Sequence, residues 1–186
     1  MADDGAATRQ GGLLALLGAH VAHDVREASF IARMVALTAA PRPFDRTSYQ
    51  PGHFTASAFV LSPERDSLLL IFHRKLSLWL QPGGHVEPAD ATVLAAARRE
   101  VAEEVGLVDA PLATADAALF DLDIHGIPAR PGEPAHEHFD LRFLFVGRTR
   151  EFAASDEVAG ARWVPLAELA SVTTDESVQR AARKIR

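Results

Sequence analysis

Apolar residues recur at helical spacing from Leu13 to Ala39: Leu13, Leu16, Leu17 and Val21, then Val25, Ala28, Ile31 and Val35. A stripe that repeats every three or four positions predicts one or two amphipathic helices. The residues ahead of it, 1–12, are polar and rich in glycine, which predicts a mobile start. Pro41-Arg42-Pro43 stops the helical run, and an irregular stretch from Phe44 to His53 follows. From Phe54 the pattern turns strand-like. Thr55 to Leu61 ends at Ser62-Pro63, and after a charged turn Ser67–His73 predicts a second, largely buried strand. Trp79-Leu80-Gln81-Pro82 then leads into Gly83-Gly84, where a short strand meets a loop. Further strands are expected at Ala118–Ile127, at Phe139–Val146, where Leu141, Phe143 and Phe145 alternate with Arg142 and Leu144, and at Ala161–Val164. Pro165 opens a short helix through Leu169, and a last helix covers about Glu176 to Lys184.

One helix, from about Ala91 to Val105, breaks the rules of stability. Leu94, Val101 and Val105 give it an apolar stripe. At about 100° per residue, Glu103 and Glu104 fall roughly 60° and 40° either side of Glu100. Three carboxylates therefore share one narrow face, where like charges at these spacings repel. They also crowd the C-terminal half, where the macrodipole disfavours negative charge. Such a ridge suits a divalent cation, because hard oxygen donors on a rigid element match Mg²⁺ or Mn²⁺, which in turn bind phosphate oxygens. A solvated acidic face is the plainer alternative. Gly106 is placed to end the helix in a left-handed conformation. Asp90 follows Pro88 and precedes Ala-rich helical sequence, the position of an N-cap.

Gly84 and the run Arg99-Glu100-Val101-Ala102-Glu103-Glu104-Val105-Gly106-Leu107 resemble the signature of the Nudix hydrolases. The middle departs from that signature: Asp90 stands where the family has glutamate, and one extra residue separates it from Arg99. The resemblance implies an α/β fold, a Nudix-type α/β/α sandwich with a mixed sheet, over roughly Phe54 to Leu169. Residues 1–50 are then an N-terminal helical extension and 51–186 the catalytic domain. It further implies a divalent-metal-dependent hydrolysis of the pyrophosphate bond in a nucleoside diphosphate linked to another moiety. Glu100, Glu103 and Glu104 become metal ligands, one of them a candidate base; Arg99 orients a catalytic carboxylate, or simply pairs with Glu103 at i+4, and both can hold at once. Gly83 and Gly84 form either a plain turn or, as the resemblance implies, a close backbone approach for the phosphate chain and the metal, and His85 beside them is a substrate contact or a plain loop histidine. Family members often add a distant carboxylate, for which Glu157, with Asp156 beside it, is the candidate. Asp90 is left between helix cap and catalyst.

Other residues carry weaker signals. His136 and His138 share a strand face and fit a zinc pair, a phosphate or base contact, or an ordinary strand edge. Phe72 and Trp79 suit base stacking or core, and Arg74 and Lys75 suit phosphate steering or plain surface charge. A net charge of −6 argues against nucleic-acid or membrane partners and leaves a small nucleotide-derived substrate. Asp3 and Asp4 against a lone Arg9 argue against a secretory signal, so a cytoplasmic location is expected. With no cysteine there is neither a disulfide frame nor a thiol nucleophile. That counts against a Nudix-like isopentenyl diphosphate isomerase, whose family relies on a cysteine. A non-catalytic, nucleotide-binding Nudix-like regulator is the alternative function, and a homodimer is left open.

Overall fold

In the computed structural model, residues 4–113, 117–156 and 158–185 are described. Helix α1 spans Asp4–Ala19 and helix α2 Val25–Thr38. The start expected to be mobile is thus helical from Asp4 onward, with Leu13 and Leu17 buried. On α2 the buried face differs from the expected stripe. Glu27, Phe30, Met34 and Leu37 point inward, while Val25 is 88% and Val35 41% exposed. Phe30, Met34 and Leu37 remove more apolar area from water than Val25, Ala28 and Val35, so that set turns inward, while Ile31 of the expected stripe stays partly covered at the core's edge. Asp24 fixes the start, its side chain accepting the Glu27 N–H at 2.7 Å.

Strand β1, Gly52–Leu61, is the spine of the sheet. One edge pairs in parallel with β6, His136–Val146, from Gly52 opposite Glu137 to Leu61 opposite Val146. Strand β5, Asp121–Ile127, extends that side antiparallel to β6. The other edge of β1 is shared. Strand β2, Ser67–His73, pairs at its C-terminal end and β4, Gly83–His85, at its N-terminal end, so the sheet splits there. Strand β3, Leu78–Leu80, and strand β7, Ala161–Pro165, flank β2. Helix α3, Val93–Val105, a 3₁₀ turn at Leu166–Ser171 and helix α4, Glu176–Ala182, complete the chain.

Strand alternation divides the sheet into two faces. Phe54, Ala56, Ala58, Phe139, Leu141 and Phe143 belong to a core shared with α1, α2 and α3. On the opposite face, Phe59, Leu61, Leu68 and Leu70 pack with Val178 and Ala181 of α4. This is an α/β/α sandwich. The second face changes character along β1: beyond Phe59 it carries Ser57, Thr55 and His53, beside Arg142, Asp140 and His138 of β6. Arg142, expected as the polar alternate of its strand, is 2% exposed. It donates to Asp140 at 2.8 Å, to Asp121 at 3.1 Å and to the Ser177 hydroxyl at 2.9 Å. Arg180 reaches Asp121 from α4 with two bonds of 2.8 Å. Buried charge of this kind requires complete pairing.

Glu27 ties α2 into the same network. Fully buried, it accepts from Lys184 at 2.6 Å, the His23 N–H at 2.6 Å and the Leu122 N–H at 3.2 Å, and contacts His20. Burial pushes its carboxyl up, but hydrogen bonds from His20, Lys184 and His23 outweigh this and bring it down to about 2. Its folded value therefore lies below the unfolded one. The stabilisation is present above the ordinary carboxylate range, about 4, and is lost as pH falls toward 2. Melting temperature is accordingly expected to drop more steeply with acid in wild type than in Glu27→Gln. Parallel curves would contradict this role.

Candidate active site

Helix α3 is bounded by two local devices. Thr92 caps it, its hydroxyl accepting the Ala95 N–H at 3.0 Å, and Gly106 ends it at φ 71°. Asp90 is not the cap. The cap falls two residues later, at Thr92, and Asp90 lies in the preceding loop, where it accepts the Glu87 N–H at 2.8 Å. Asp90 instead faces Arg99, which donates from Nε at 3.2 Å and from Nη2 at 3.0 Å. Val93, Ala96, Ala97, Val101 and Val105 form the buried side of α3, with Leu94 partly covered.

Arg99 gathers the neighbouring groups. Its Nη1 donates to Glu100 Oε1 and Glu103 Oε2, both at 2.8 Å, and its Nη2 donates to the His85 carbonyl at 2.8 Å. Both the i+4 pairing with Glu103 and the contact with a second carboxylate are present. Glu104 turns toward β4, accepting the Gly83 N–H at 3.0 Å. Glu100 lies against Gly84, where an added Cβ would come within 2.6 Å of Glu100 Oε1. A side chain at position 84 would displace the Glu100 carboxylate from this place. Burial pushes the Glu100 carboxyl above its ordinary value, against the opposing pull of Arg99. Asp90 foremost, then Glu100 and Glu103, hold the Arg99 guanidinium firmly charged. Glu104 and Glu100 thus lie directly against Gly83 and Gly84, and Asp90 and Glu103 join them through Arg99.

The loop before β7 docks on the end of this helix. Ala153 N–H donates to the Val105 carbonyl and Ser155 N–H to the Glu104 carbonyl, each at 3.0 Å. That brings Asp156, which is exposed, to the helix end, whereas Glu157 lies outside the described residues. Trp79 packs on Phe72 with ring centres 5.3 Å apart and lies under Arg162 at 4.3 Å, beside the α4-side core. Arg74 and Lys75 occupy the exposed turn between β2 and β3.

Past Gly84 the site becomes rich in imidazole. His85 on β4 and His138 on β6 flank His53 of β1, with ring centres 5.1 and 4.8 Å from it. His136 stacks on His53 at 5.2 Å, and His125 of β5 lies 5.5 Å from His138. Sequence reasoning found His85, His136 and His138 but missed His53 and His125. The strand was expected to begin at Phe54, one residue too late to include His53. The available signal was parity: His53, Thr55 and Ser57 alternate as His136, His138 and Asp140 do. Burial lowers the affinity of His85 for a proton, its value falling to about 4, and neighbouring imidazoles add to this.

A family model described as the NUDIX domain matches residues 51–184. Among solved structures, a NUDIX-family hydrolase from Clostridium perfringens superposes with a TM-score of 0.55 at 24% identity, covering 76% of this chain and 97% of its own. The dihydroneopterin triphosphate pyrophosphohydrolase of E. coli gives 0.55 at 18%, covering 70% and 92%. The NUDIX domain of Shewanella oneidensis NrtR, solved with ADP ribose, gives 0.54 at 17%, covering 85% and 95%. No curated protein sequence matches significantly.

Proposed function

This chain belongs to the Nudix hydrolase family, and we propose that Arg99, Glu100, Glu103 and Glu104 are the machinery with which it hydrolyses a pyrophosphate bond in a nucleotide-derived substrate. One observation carries the assignment. A single guanidinium holds Asp90, Glu100 and Glu103 together, while Glu104 is anchored on Gly83, so the acids share one end of the sheet. The donor set is all oxygen, and the bare Gly84 backbone leaves the Glu100 carboxylate lying across it. Both features fit a hard divalent ion, Mg²⁺ or Mn²⁺, held by Glu100, Glu103 and Glu104, with Glu157 as a further ligand. When bound, such an ion neutralises phosphate oxygens and acidifies a water.

The protein's own groups supply the rest. Gly83 and Gly84 let the phosphate chain approach the backbone closely, and His85 borders that approach. Arg99 keeps the carboxylates in register, with Asp90 as its counter-anchor. Glu100 takes the proton of the attacking water at Oε2, the oxygen Arg99 does not engage. Water oxygen bonds to one phosphorus, the bridging P–O bond breaks, and two phosphate-bearing products leave. The substrate is a small nucleotide derivative and the expected setting is the cytoplasm. Among the described residues no helix is long and apolar enough to cross a membrane.

A panel of nucleoside diphosphate compounds with Mg²⁺ or Mn²⁺ tests the assignment. Wild type is expected to cleave at least one compound and Glu103→Gln to be severely impaired on it. If both are equally inactive on every compound, the ridge is not a hydrolytic site and the regulator reading takes its place.

A further inference from the structure

We propose that His53, His136 and His138 form a three-nitrogen site for a borderline divalent transition-metal ion such as Zn²⁺, distinct from the carboxylate ridge. One ring nitrogen from each lies within 4.8 Å of those of the other two. The three come together because β1 and β6 run parallel, with His53 directly opposite His138 and His136 two residues back on the same face.

Hydrogen bonding prepares two of these rings as ligands. His53 Nδ1 lies 3.1 Å from the Ser48 carbonyl and His136 Nδ1 2.8 Å from the Pro134 carbonyl. A carbonyl can only accept, so each Nδ1 carries the hydrogen and each Nε2 is left with its lone pair. This backbone-carbonyl anchoring fixes the tautomer and ring orientation of a metal-binding histidine. His53 is fully buried, yet its Nε2 has no hydrogen-bond partner among the described residues. A buried acceptor without a donor costs free energy, and a cation would relieve it. Neutral imidazole is the ligating form, and the buried setting of the cluster favours it over the charged ring. His85, 5.1 Å from His53, is the imidazole that can complete a tetrahedral set. His125 lies at the far side of His138, 5.5 Å from it, and is not among the three grouped rings. A cleft of about 530 Å³ is lined in part by Ser48 and Pro134, whose carbonyls anchor His53 and His136.

Nitrogen donors separate this site from the ridge chemically, since imidazole suits zinc, cobalt or nickel, while carboxylate suits magnesium. The proposal stands apart from hydrolysis, because ion binding is read without substrate. Metal-stripped full-length protein is titrated with Co²⁺ in excess Mg²⁺, following the visible absorption of the bound ion. One equivalent is expected to bind, unchanged in Glu103→Gln. In His138→Ala and in His136→Asn, affinity should fall by more than the roughly 10–100-fold that loss of an outer-shell partner costs. Absence of a cobalt band, or a band lost in Glu103→Gln but kept in both histidine variants, overturns the proposal. So does a raised KM in His138→Ala with cobalt binding intact, which would make these rings substrate contacts. If the variants do not melt as wild type, a zinc-soaked wild-type crystal decides. Anomalous density between the three rings supports the site, and its absence overturns it.

Discussion

Glu100→Gln is expected to lower kcat by about 10³-fold, within the range for loss of a positioned base or of a cation ligand, while leaving the fold intact. The substitution keeps the shape of the side chain and its place against Gly84, and removes the charge. Its effect on stability should run the other way. The folded carboxyl sits above its unfolded value, so it holds a proton more tightly when folded, and its ionisation at neutral pH costs stability in the absence of a cation. The variant should therefore melt at or above the wild-type temperature without Mg²⁺, and gain less when Mg²⁺ is added. Activity within tenfold of wild type would remove Glu100 from the chemistry. Asp90→Asn gives a useful contrast. It frees one side of Arg99 but leaves Glu100 and Glu103 bonded to it, so a loss smaller than that of Glu100→Gln marks Asp90 as a positioning residue.

Arg142→Met should be the most destabilising single change. It deprives Asp140, Asp121 and Asp123 of a cation that is buried with them between β5, β6 and α4. Burial opposes the ionised form of Asp123, and His125 together with Arg142 outweighs it and holds the carboxyl low. Breaking a buried pair by removing one partner costs about 3–5 kcal/mol. For a chain of this size that is a fall in melting temperature of roughly 6–20 °C. The sign with pH is a second check. Aspartates stripped of their partner would hold protons more tightly than in the unfolded chain, so their cost grows as pH rises. The deficit of the variant should therefore shrink on acidification toward about pH 4. A loss of less than about 2 °C at neutral pH would mean Arg180 and Lys184 already compensate the cluster.

Both expectations concern groups that the sequence shows with very different clarity. The acidic ridge is local: Glu100, Glu103 and Glu104 lie within one turn and a half, and helical periodicity alone puts them on one face. The helix stop at Gly106 and the strands through Ser67–His73 and Phe139–Val146 are likewise written in short-range pattern. Asp90 shows where local reading fails. Pro88 and the alanines made it a cap by sequence, but Thr92 caps the helix, and Arg99, nine residues on, claims Asp90 instead. On α2 two stripes competed, and the choice between them depended on which side chains the rest of the core could accept.

The sequence by itself determined where the helices and most strands lie, that α3 carries a clustered oxygen donor set, and which family the chain resembles. Each of these follows from spacing within a dozen residues, where backbone geometry maps sequence directly onto a face. Only the tertiary structure decided that Arg142 is interior, that α1 and α2 share the main core, and that His53 meets His136 and His138. Those contacts depend on the register of parallel strands more than eighty residues apart, and register is set by the whole buried surface rather than by any local pattern.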